Sequence, residues 1–181
     1  SSLTIPRTDG STAFIDYTNN AARGHNRGLE WQGRWQVSSR FQLRGALGLL
    51  EAEFDNYVTP LGDDLSGRET PQSPQTMAQI AASYTLWQGL DAGLELTTMD
   101  GYFFSDRHDT RAPSRQLLNA NLNWRAGNWS VQLWARNLSN ETYYTRGFGS
   151  FGNDPRKAYA VEPYYQLGEP RRFGLDLNYS L

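Results

Sequence analysis

Residues 118–135 read LNANLNWRAGNWSVQLWA. Leu118, Ala120, Leu122 and Trp124 alternate with Asn119, Asn121 and Asn123, and beyond Gly127 and Asn128 the alternation resumes with Trp129, Val131, Leu133 and Ala135. A period of two gives an extended strand one apolar and one polar face, whereas a helix needs a period of 3.6. Gly127 and Asn128 tolerate positive φ, so they suit the tight turn of a hairpin. This short stretch therefore specifies two antiparallel strands that share an apolar face.

The pattern extends in both directions, through windows at residues 29–37, 41–49, 78–86, 90–98, 118–124, 129–135 and 173–181. One parity holds 33 positions, of which 30 are apolar; the exceptions are Gly33, Gly45 and Thr98. The other parity holds 26 positions, and only Ala46, Ala81 and Trp134 among them are apolar. Its polar members, such as Gln32, Arg34, Arg44, Glu95, Asn121 and Asp176, suit a water-filled lumen. Arg34 and Arg44 are expected to pair there with Glu30, Asp91 or Glu95.

Connections alternate in length. Ser38-Ser39-Arg40, Gln88-Gly89 and Gly127-Asn128 are tight turns, whereas residues 57–74, 105–113 and 139–168 are long and carry Pro60, Pro71, Pro74, Pro113, Pro155 and Pro163. Tight turns at one end and long loops at the other are the layout of an up-and-down transmembrane β-barrel. A Greek-key sandwich would scatter loop lengths between both ends. The fold class is therefore all-β, an antiparallel up-and-down barrel segment. Trp35, Phe41, Trp87, Trp124, Trp129 and Tyr179 lie beside the tight turns or the C-terminal end, as a membrane-interface girdle would. A second ring is expected at the long-loop end from Phe14, Tyr17, Phe54, Tyr57, Tyr102, Phe103, Tyr143 and Tyr144. The alternative is that these aromatics form the core of a soluble sandwich.

Composition narrows the function classes. The chain has 181 residues, 38% hydrophobic and 20% charged, and no apolar run approaches the ~18 residues of a spanning helix. The net charge of −2 gives no electrostatic case for nucleic acid. The absence of cysteine removes disulfides, thiolate metal sites and cysteine nucleophiles together. Of 17 basic residues only Lys157 is Lys, which points to charges in ordered, hydrogen-bonded places suited to the planar Arg fork. Ser1–Arg7 lacks the features of a signal peptide and reads as mature chain or as part of a longer one.

Catalytic signatures do not accumulate. There is no Gly-x-Ser-x-Gly, His-Glu-x-x-His or P-loop. His25 and His108 have no metal-ligand spacing, and Gly147-Phe148-Gly149-Ser150-Phe151-Gly152 has no helix after it. The Asn-x-Ser/Thr triplets at Asn128, Asn137, Asn140 and Asn178 read as chance, with Asn137 and Asn178 inside strands. Glu51 with Glu53, and Asp63 with Asp64, read as solvated charge or a cation contact near lipopolysaccharide. No catalytic residue, metal or cofactor is expected, and the protein is not read as an enzyme.

Three stretches resemble the C-terminal third of TonB-dependent outer-membrane receptors. NAARGHNRGLEWQGRWQ at residues 20–36 is similar to a family strand, with Gly28, Leu29 and Glu30 as the matching core. LWARNLSNETYY at 133–144 resembles the segment ending the penultimate strand, with Asn137 and Leu138 matching and Ser139 and Asn140 replacing the usual Phe and Asp. YYQLGEPRRFGLDLNYSL at 164–181 resembles the closing segment, through Gly168, Pro170, Arg171, Phe173 and Gly174.

The resemblance implies a bacterial outer-membrane, multi-pass β-barrel. Residues 1–181 are then the C-terminal portion, about seven strands plus a partial one around Ser1–Ile5, of a 22-stranded barrel. The plug domain, the energy-coupling box and the earlier strands lie outside these residues. Phe173, Leu175, Leu177, Tyr179 and Leu181 resemble the C-terminal assembly signal read by the barrel assembly machinery, with Leu181 where an aromatic is usual. The implied function is active uptake of a scarce nutrient, foremost a ferric siderophore, energised through the TonB complex, with lipopolysaccharide as a further partner and no nucleic acid. Tyr102, Phe104, Arg107, His108, Arg111, Tyr144, Arg146, Phe148 and Phe151 are the candidate ligand contacts, because aromatics with Arg suit an anionic aromatic ligand. Packing of the loops and contact with lipopolysaccharide phosphates is the competing role for them. Other classes remain open: a soluble or secreted β-sandwich that binds carbohydrate, and a passive porin or adhesin barrel.

Overall fold

The computed structural model describes residues 2–6, 12–16, 22–59, 62–106, 108–149, 156 and 163–181. Among the described residues there is no α-helix. Seven strands form one antiparallel sheet in chain order: β3 (Ala22–Gln36), β4 (Phe41–Tyr57), β5 (Thr76–Trp87), β6 (Leu90–Met99), β9 (Arg115–Ala126), β10 (Trp129–Arg136) and β13 (Arg172–Tyr179). Three hairpins complete the set. They are β1 (Ser2–Pro6) with β2 (Thr12–Asp16), β7 (Tyr102–Phe103) with β8 (Arg111–Ala112), and β11 (Tyr144–Gly149) with β12 (Pro163–Leu167). The partial strand expected around Ser1–Ile5 is β1, paired with β2. Among the described residues the main sheet stays open, with β3 and β13 at its edges.

Register carries the parity across the whole sheet. Trp35, Leu43, Ala82, Leu94, Ala120, Ala135 and Phe173 are successive cross-strand partners, a row without a polar member. One residue over, Gln36, Gln42, Ser83, Gly93, Asn121, Trp134 and Gly174 form a row on the opposite face. A slip of one residue in any pair would exchange the faces, so burial on one side pins the register. The apolar side is the exposed one: Trp35, Leu29 and Phe173 remain 64%, 63% and 69% accessible. An apolar outer face is what a lipid-facing wall requires.

Two exceptions to the parity have a packing cause. Gly33 and Gly45 are direct partners, and the Trp31 indole lies across both. A Cβ on Gly33 would stand 2.6 Å from the Trp31 ring, and one on Gly45 3.1 Å. The ring covers backbone that glycine leaves bare, an aromatic roof over paired strand glycines. Trp134, an apolar exception on the polar face, lies in the same way over Gly174.

β5 contains a further device. The ladder to β6 shifts register between Thr85 and Trp87, so that Trp87 pairs with Leu90. This bulge moves Trp87 into the outward row with Leu90, Trp124, Val131 and Leu177. Trp35, Trp87, Trp124, Trp129 and Tyr179 are exposed at the tight-turn end, and the Trp129 and Tyr179 rings are 4.7 Å apart. Phe41 is half-buried against Tyr84 at 6.3 Å.

The structure corrects four expectations. β3 and β4 run well beyond the windows 29–37 and 41–49, to Ala22 and Tyr57. The code inverts where the windows stop: beyond the Leu29–Leu49 pair, Arg27, His25, Glu51 and Glu53 take the outward positions, while Ala52 takes the inward side and is only 5% exposed. Nine strand residues span about 26 Å, or about 20 Å of membrane normal at barrel tilt, close to the ~25 Å apolar band of such walls. The inversion therefore marks the lipid boundary, and a search for one fixed parity ends there. Second, the sheet windows miss short strands: β8, β11 and β12 lie within the long connections and β7 just before the 105–113 stretch. Third, the second girdle does not form from Phe54, Tyr57 and Tyr102. Phe54 packs against Tyr57 with tilted rings at 4.8 Å, the Tyr57 hydroxyl donates to Asp106 at 2.7 Å, and Tyr102 is buried. Tyr17 lies outside the described residues. Fourth, Asn137 is not in a strand: it ends β10 with a φ of 49°.

Candidate functional site

The candidate site is the layer built by the long connections. The β4–β5 connection first returns along β4 and satisfies its edge. Leu50 N donates to Gln75 O at 2.8 Å, Thr70 N to Ala52 O at 2.8 Å, Phe54 N to Arg68 O at 3.0 Å and Gly67 N to Phe54 O at 2.7 Å. It then reaches the next hairpin, where Gln72 N donates to Phe103 O at 2.8 Å.

Two cations lie against the Phe103 ring. The guanidinium carbons of Arg68 and Arg111 lie 4.0 and 4.4 Å from its ring centroid. Each cation has a carboxylate partner: Arg68 with Asp109 at 3.0 Å, and Arg111 with Glu69 at 2.8 Å. Arg68 also donates to His108 O at 2.7 Å and Ser105 O at 3.1 Å, which fixes the loop around it. His108 Nδ1 accepts from Thr110 N at 3.3 Å, and its Nε2 is buried without a partner among the described residues.

Beside this node sits a small aromatic core. Phe104 (2% exposed), Tyr102 and Ala112 are buried, with Met99 and Tyr144 packed against them. Phe104 meets Tyr102 edge-on at 5.7 Å and Tyr165 at 5.6 Å, and Tyr165 meets Tyr144 at 4.6 Å. Gly147 is where Phe104 comes down on β11; a Cβ there would lie 2.5 Å from the ring. The Tyr102 hydroxyl donates to Thr145 O at 3.3 Å, and Arg115 donates to Tyr144 O at 3.2 Å while lying over the Tyr143 ring. The three long connections thus share one packed unit.

Asn137 anchors this unit to the wall. Its side chain is 3% exposed. Its Nδ2 donates to Glu141 O at 2.8 Å and Glu169 O at 3.1 Å, and its Oδ1 accepts from Glu141 N at 2.9 Å. Its own N–H donates to Asn119 on β9 at 3.0 Å. Asn is among the few residues other than glycine that hold a left-handed φ readily. Through its side-chain amide and its backbone N–H, one residue therefore joins the end of β10, its neighbour β9, the turn that follows and the segment leading to β13.

The candidate ligand contacts separate accordingly. Tyr102 and Phe104, expected to meet ligand, are inside the loop core, because the apolar surface of three connections has nowhere else to go. Arg111 is committed to Glu69 and Phe103, and His108 is half-buried in the same node. Tyr144 is half-buried and Arg146 exposed. Phe148 belongs to β11, whereas Arg107 and Phe151 lie outside the described residues. Tyr164 and Tyr165, on β12, contribute exposed aromatic surface at 43% and 38%. The alternation around Tyr144 and Arg146 is too short to reveal β11 and β12 in the sequence.

A second polar cluster lies on the outward face above the apolar band. His25 Nδ1 is 2.6 Å from Asp55, its Nε2 is 3.3 Å from Glu51, and Arg27 reaches Glu51 at 2.6 Å. Hydrogen bonds to Asp55 and then Glu51 raise His25 above its ordinary 6.5. Those from Arg27 and then His25 hold Glu51 below its ordinary 4.5. Among the described residues no three His, Cys, Asp or Glu side chains are placed to hold a metal ion. The inward face differs from its expected pairing: Glu95 accepts from Gln79 and Asn119, and Asp91 from Arg125 and Thr85, instead of from Arg34 or Arg44.

Solved structures share this architecture. The siderophore receptor PiuA from Acinetobacter baumannii matches 98% of this chain with a TM-score of 0.71 at 17% identity. The ferric yersiniabactin uptake receptor FyuA from Yersinia pestis matches 88% with a TM-score of 0.72 at 18% identity. The ferric preacinetobactin receptor BauA from Acinetobacter baumannii matches 99% with a TM-score of 0.62 at 20% identity. The chain spans about a quarter of the length of each, 24%, 24% and 25% respectively. The family model for a TonB dependent receptor-like β-barrel matches residues 2–138. With its apolar outer face, polar inner face and folded loop layer, the chain belongs to the TonB-dependent receptor β-barrel family of the bacterial outer membrane.

Proposed function

We propose that these residues are a wall segment of a receptor that takes up a scarce nutrient, foremost a ferric siderophore, by active transport energised through TonB. The observation that carries this reading is the loop layer. Three long connections at one end of a lipid-facing sheet condense into a single unit that displays Tyr164, Tyr165 and Arg146. Rigid walls with folded loops at one end are where binding residues concentrate. Aromatic faces and Arg suit an anionic, aromatic chelate through stacking and charge-assisted hydrogen bonds. Capture needs no covalent chemistry from these residues.

The test uses the full-length receptor on whole cells, with a ferric catecholate as the anionic probe and a neutral ferric hydroxamate as control. Replacing both Arg107 and Arg146 by Ala should weaken the anionic complex by about 1–3 kcal/mol for each charge-assisted hydrogen bond removed. The neutral complex and the amount of barrel in the membrane should not change. Unaltered affinity for every anionic complex tested would return the loops to packing and lipopolysaccharide contact.

A further inference from the structure

We propose that Tyr144 and Tyr165 are an oxidative cross-linking site, where a one-electron oxidant at the cell surface joins the two rings as dityrosine and staples β11 to β12. The ring centroids are 4.6 Å apart and the planes are tilted by 38°. The chain has 10 tyrosines, yet among the described residues this is the one ring contact between two of them. Tyr165 is 38% exposed and Tyr144 half-buried, so an oxidant in solution can reach the pair.

The surroundings hold the rings together and offer few other outlets for a radical. Phe104 lies 5.6 Å from Tyr165, and Tyr144 packs against the core that Phe104 belongs to. A phenyl ring yields an electron far less readily than a phenol, so Phe104 does not drain the pair. Tyr102 is buried beyond Phe104, with its hydroxyl donated to Thr145 O. Tyr143 is engaged by Arg115 and Gly168 instead. In the cross-linking step each phenol loses one electron and its hydroxyl proton, leaving spin on the carbons ortho to oxygen. A C–C bond forms between one ortho carbon of each ring. The hydrogen on each of these carbons then moves to its own ring's oxygen, which restores both phenols. With a haem peroxidase as catalyst, one hydrogen peroxide accepts the two electrons and two protons and leaves as two waters. Rings already in contact couple without a diffusional encounter.

The consequence is a covalent tie in a chain that has no other. Without cysteine, no disulfide can close this hairpin. A bond between Tyr144 and Tyr165 closes the residues between them, Arg146 and Tyr164 included, into a ring and so restricts their freedom. The same hairpin carries Gly147, the seat of Phe104, so the staple fixes the loop layer on its core. The site requires that this layer face the outside of the cell; the identity of the transported ligand does not enter.

The experiment treats the full-length receptor in nanodiscs with a haem peroxidase and hydrogen peroxide, then maps tryptic peptides by mass spectrometry. Trypsin cuts after Arg136, Arg146, Lys157 and Arg171, so the two tyrosines fall on separate peptides, residues 137–146 and 158–171. The expected product is these two peptides joined, lighter than their sum by two hydrogens. Its yield should exceed that from an equimolar mixture of the two free peptides by about tenfold. Tyr144→Phe and Tyr165→Phe, which keep the packed rings, should each abolish the product, whereas Tyr143→Phe and Tyr164→Phe should leave it. Loss of the product in Tyr143→Phe or Tyr164→Phe, persistence in Tyr144→Phe or Tyr165→Phe, or links only between separate receptors would overturn the proposal. So would the absence of a link under conditions that consume the tyrosines of the free peptides.

Discussion

Asn137→Ala should open the end of β10 with a measurable local signature. The substitution removes three side-chain hydrogen bonds shorter than 3.2 Å, two donated to carbonyls and one accepted from Glu141 N. At about 0.5–1.5 kcal/mol net each, they contribute roughly 1.5–4.5 kcal/mol, and the buried site offers no water in exchange. Ala must also hold a φ of 49°, which adds about 1 kcal/mol. The combined effect is about 2.5–5.5 kcal/mol on local opening. Asn137→Gly loses the same bonds without the backbone strain, so it should be milder than Ala by about 1 kcal/mol. The assay is amide hydrogen exchange of the full-length receptor in detergent or nanodiscs. The reporters are the amides of Leu138, bonded to Leu118 O, and Arg171, bonded to the Asn140 side chain, because neither contacts the Asn137 side chain. A loss of 3 kcal/mol corresponds to roughly 150-fold faster exchange there. Exchange within threefold of the unaltered receptor would refute the assignment of Asn137 as the joint.

Three further perturbations separate the faces and the boundary. Leu177→Arg should reduce the amount of barrel in outer-membrane fractions far more than Asn178→Arg, because Leu177 lies on the lipid row beside Val131, where Arg carries a penalty that reaches roughly 2–4 kcal/mol at mid-bilayer and falls toward the Tyr179 girdle; equal levels would contradict the facing. Gly33→Ala should destabilise by about 1–3 kcal/mol in urea unfolding from vesicles, since its Cβ meets the Trp31 ring at 2.6 Å, yet be nearly neutral in a Trp31→Ala background. Additive effects would show that the ring does not rest on the glycine. The link between β3 and β4 around His25 should weaken as pH rises past neutral, because the imidazole's raised value makes its contribution complete below about 6.5 and lost through its folded value. It should weaken again in acid, as Glu51 protonates below its ordinary 4.5. Amide exchange at Arg27 as a function of pH, compared with His25→Ala, reads this window, and an unchanged profile in the variant would exclude His25 as the cause.

The transmembrane part of the wall can be read from sequence because lipid and lumen impose opposite demands on alternate residues such as Leu122 and Asn123. Nothing local is needed beyond parity and turn chemistry. Parity fails where the medium changes. Arg27 and Glu51 continue the same strands as Leu29 and Leu49, but their outward neighbour is no longer hydrocarbon, so the pattern reverses while the ladder continues. The bulge before Trp87 shifts one position and leaves no mark in the sequence, because only the partner strand reveals the register. Phe104 and Tyr102 look like binding residues in sequence because aromatics in Gly- and Arg-rich connections serve either purpose. Their burial depends on Tyr165, Tyr144 and Gly147, residues about forty or more positions away in the chain. Asn137 is recognisable as part of a motif, but its role as a joint depends on Asn119 and Glu169, which only the fold brings together.

The shared core under the long connections bears on how such a receptor can change its ligand. Exchanging the 139–168 segment alone for another sequence would remove the seat of Phe104 at Gly147 and its neighbour Tyr165. The loops are therefore not independent cassettes. A graft of one connection inherits a mismatch with the other two, whereas a graft of all three carries its own packing with it. Adaptation by recombination would favour breakpoints within the strands, at rows such as Leu94–Ala120, where the donor and recipient share only an alternating pattern. Point changes confined to exposed positions such as Tyr164 remain free to occur singly.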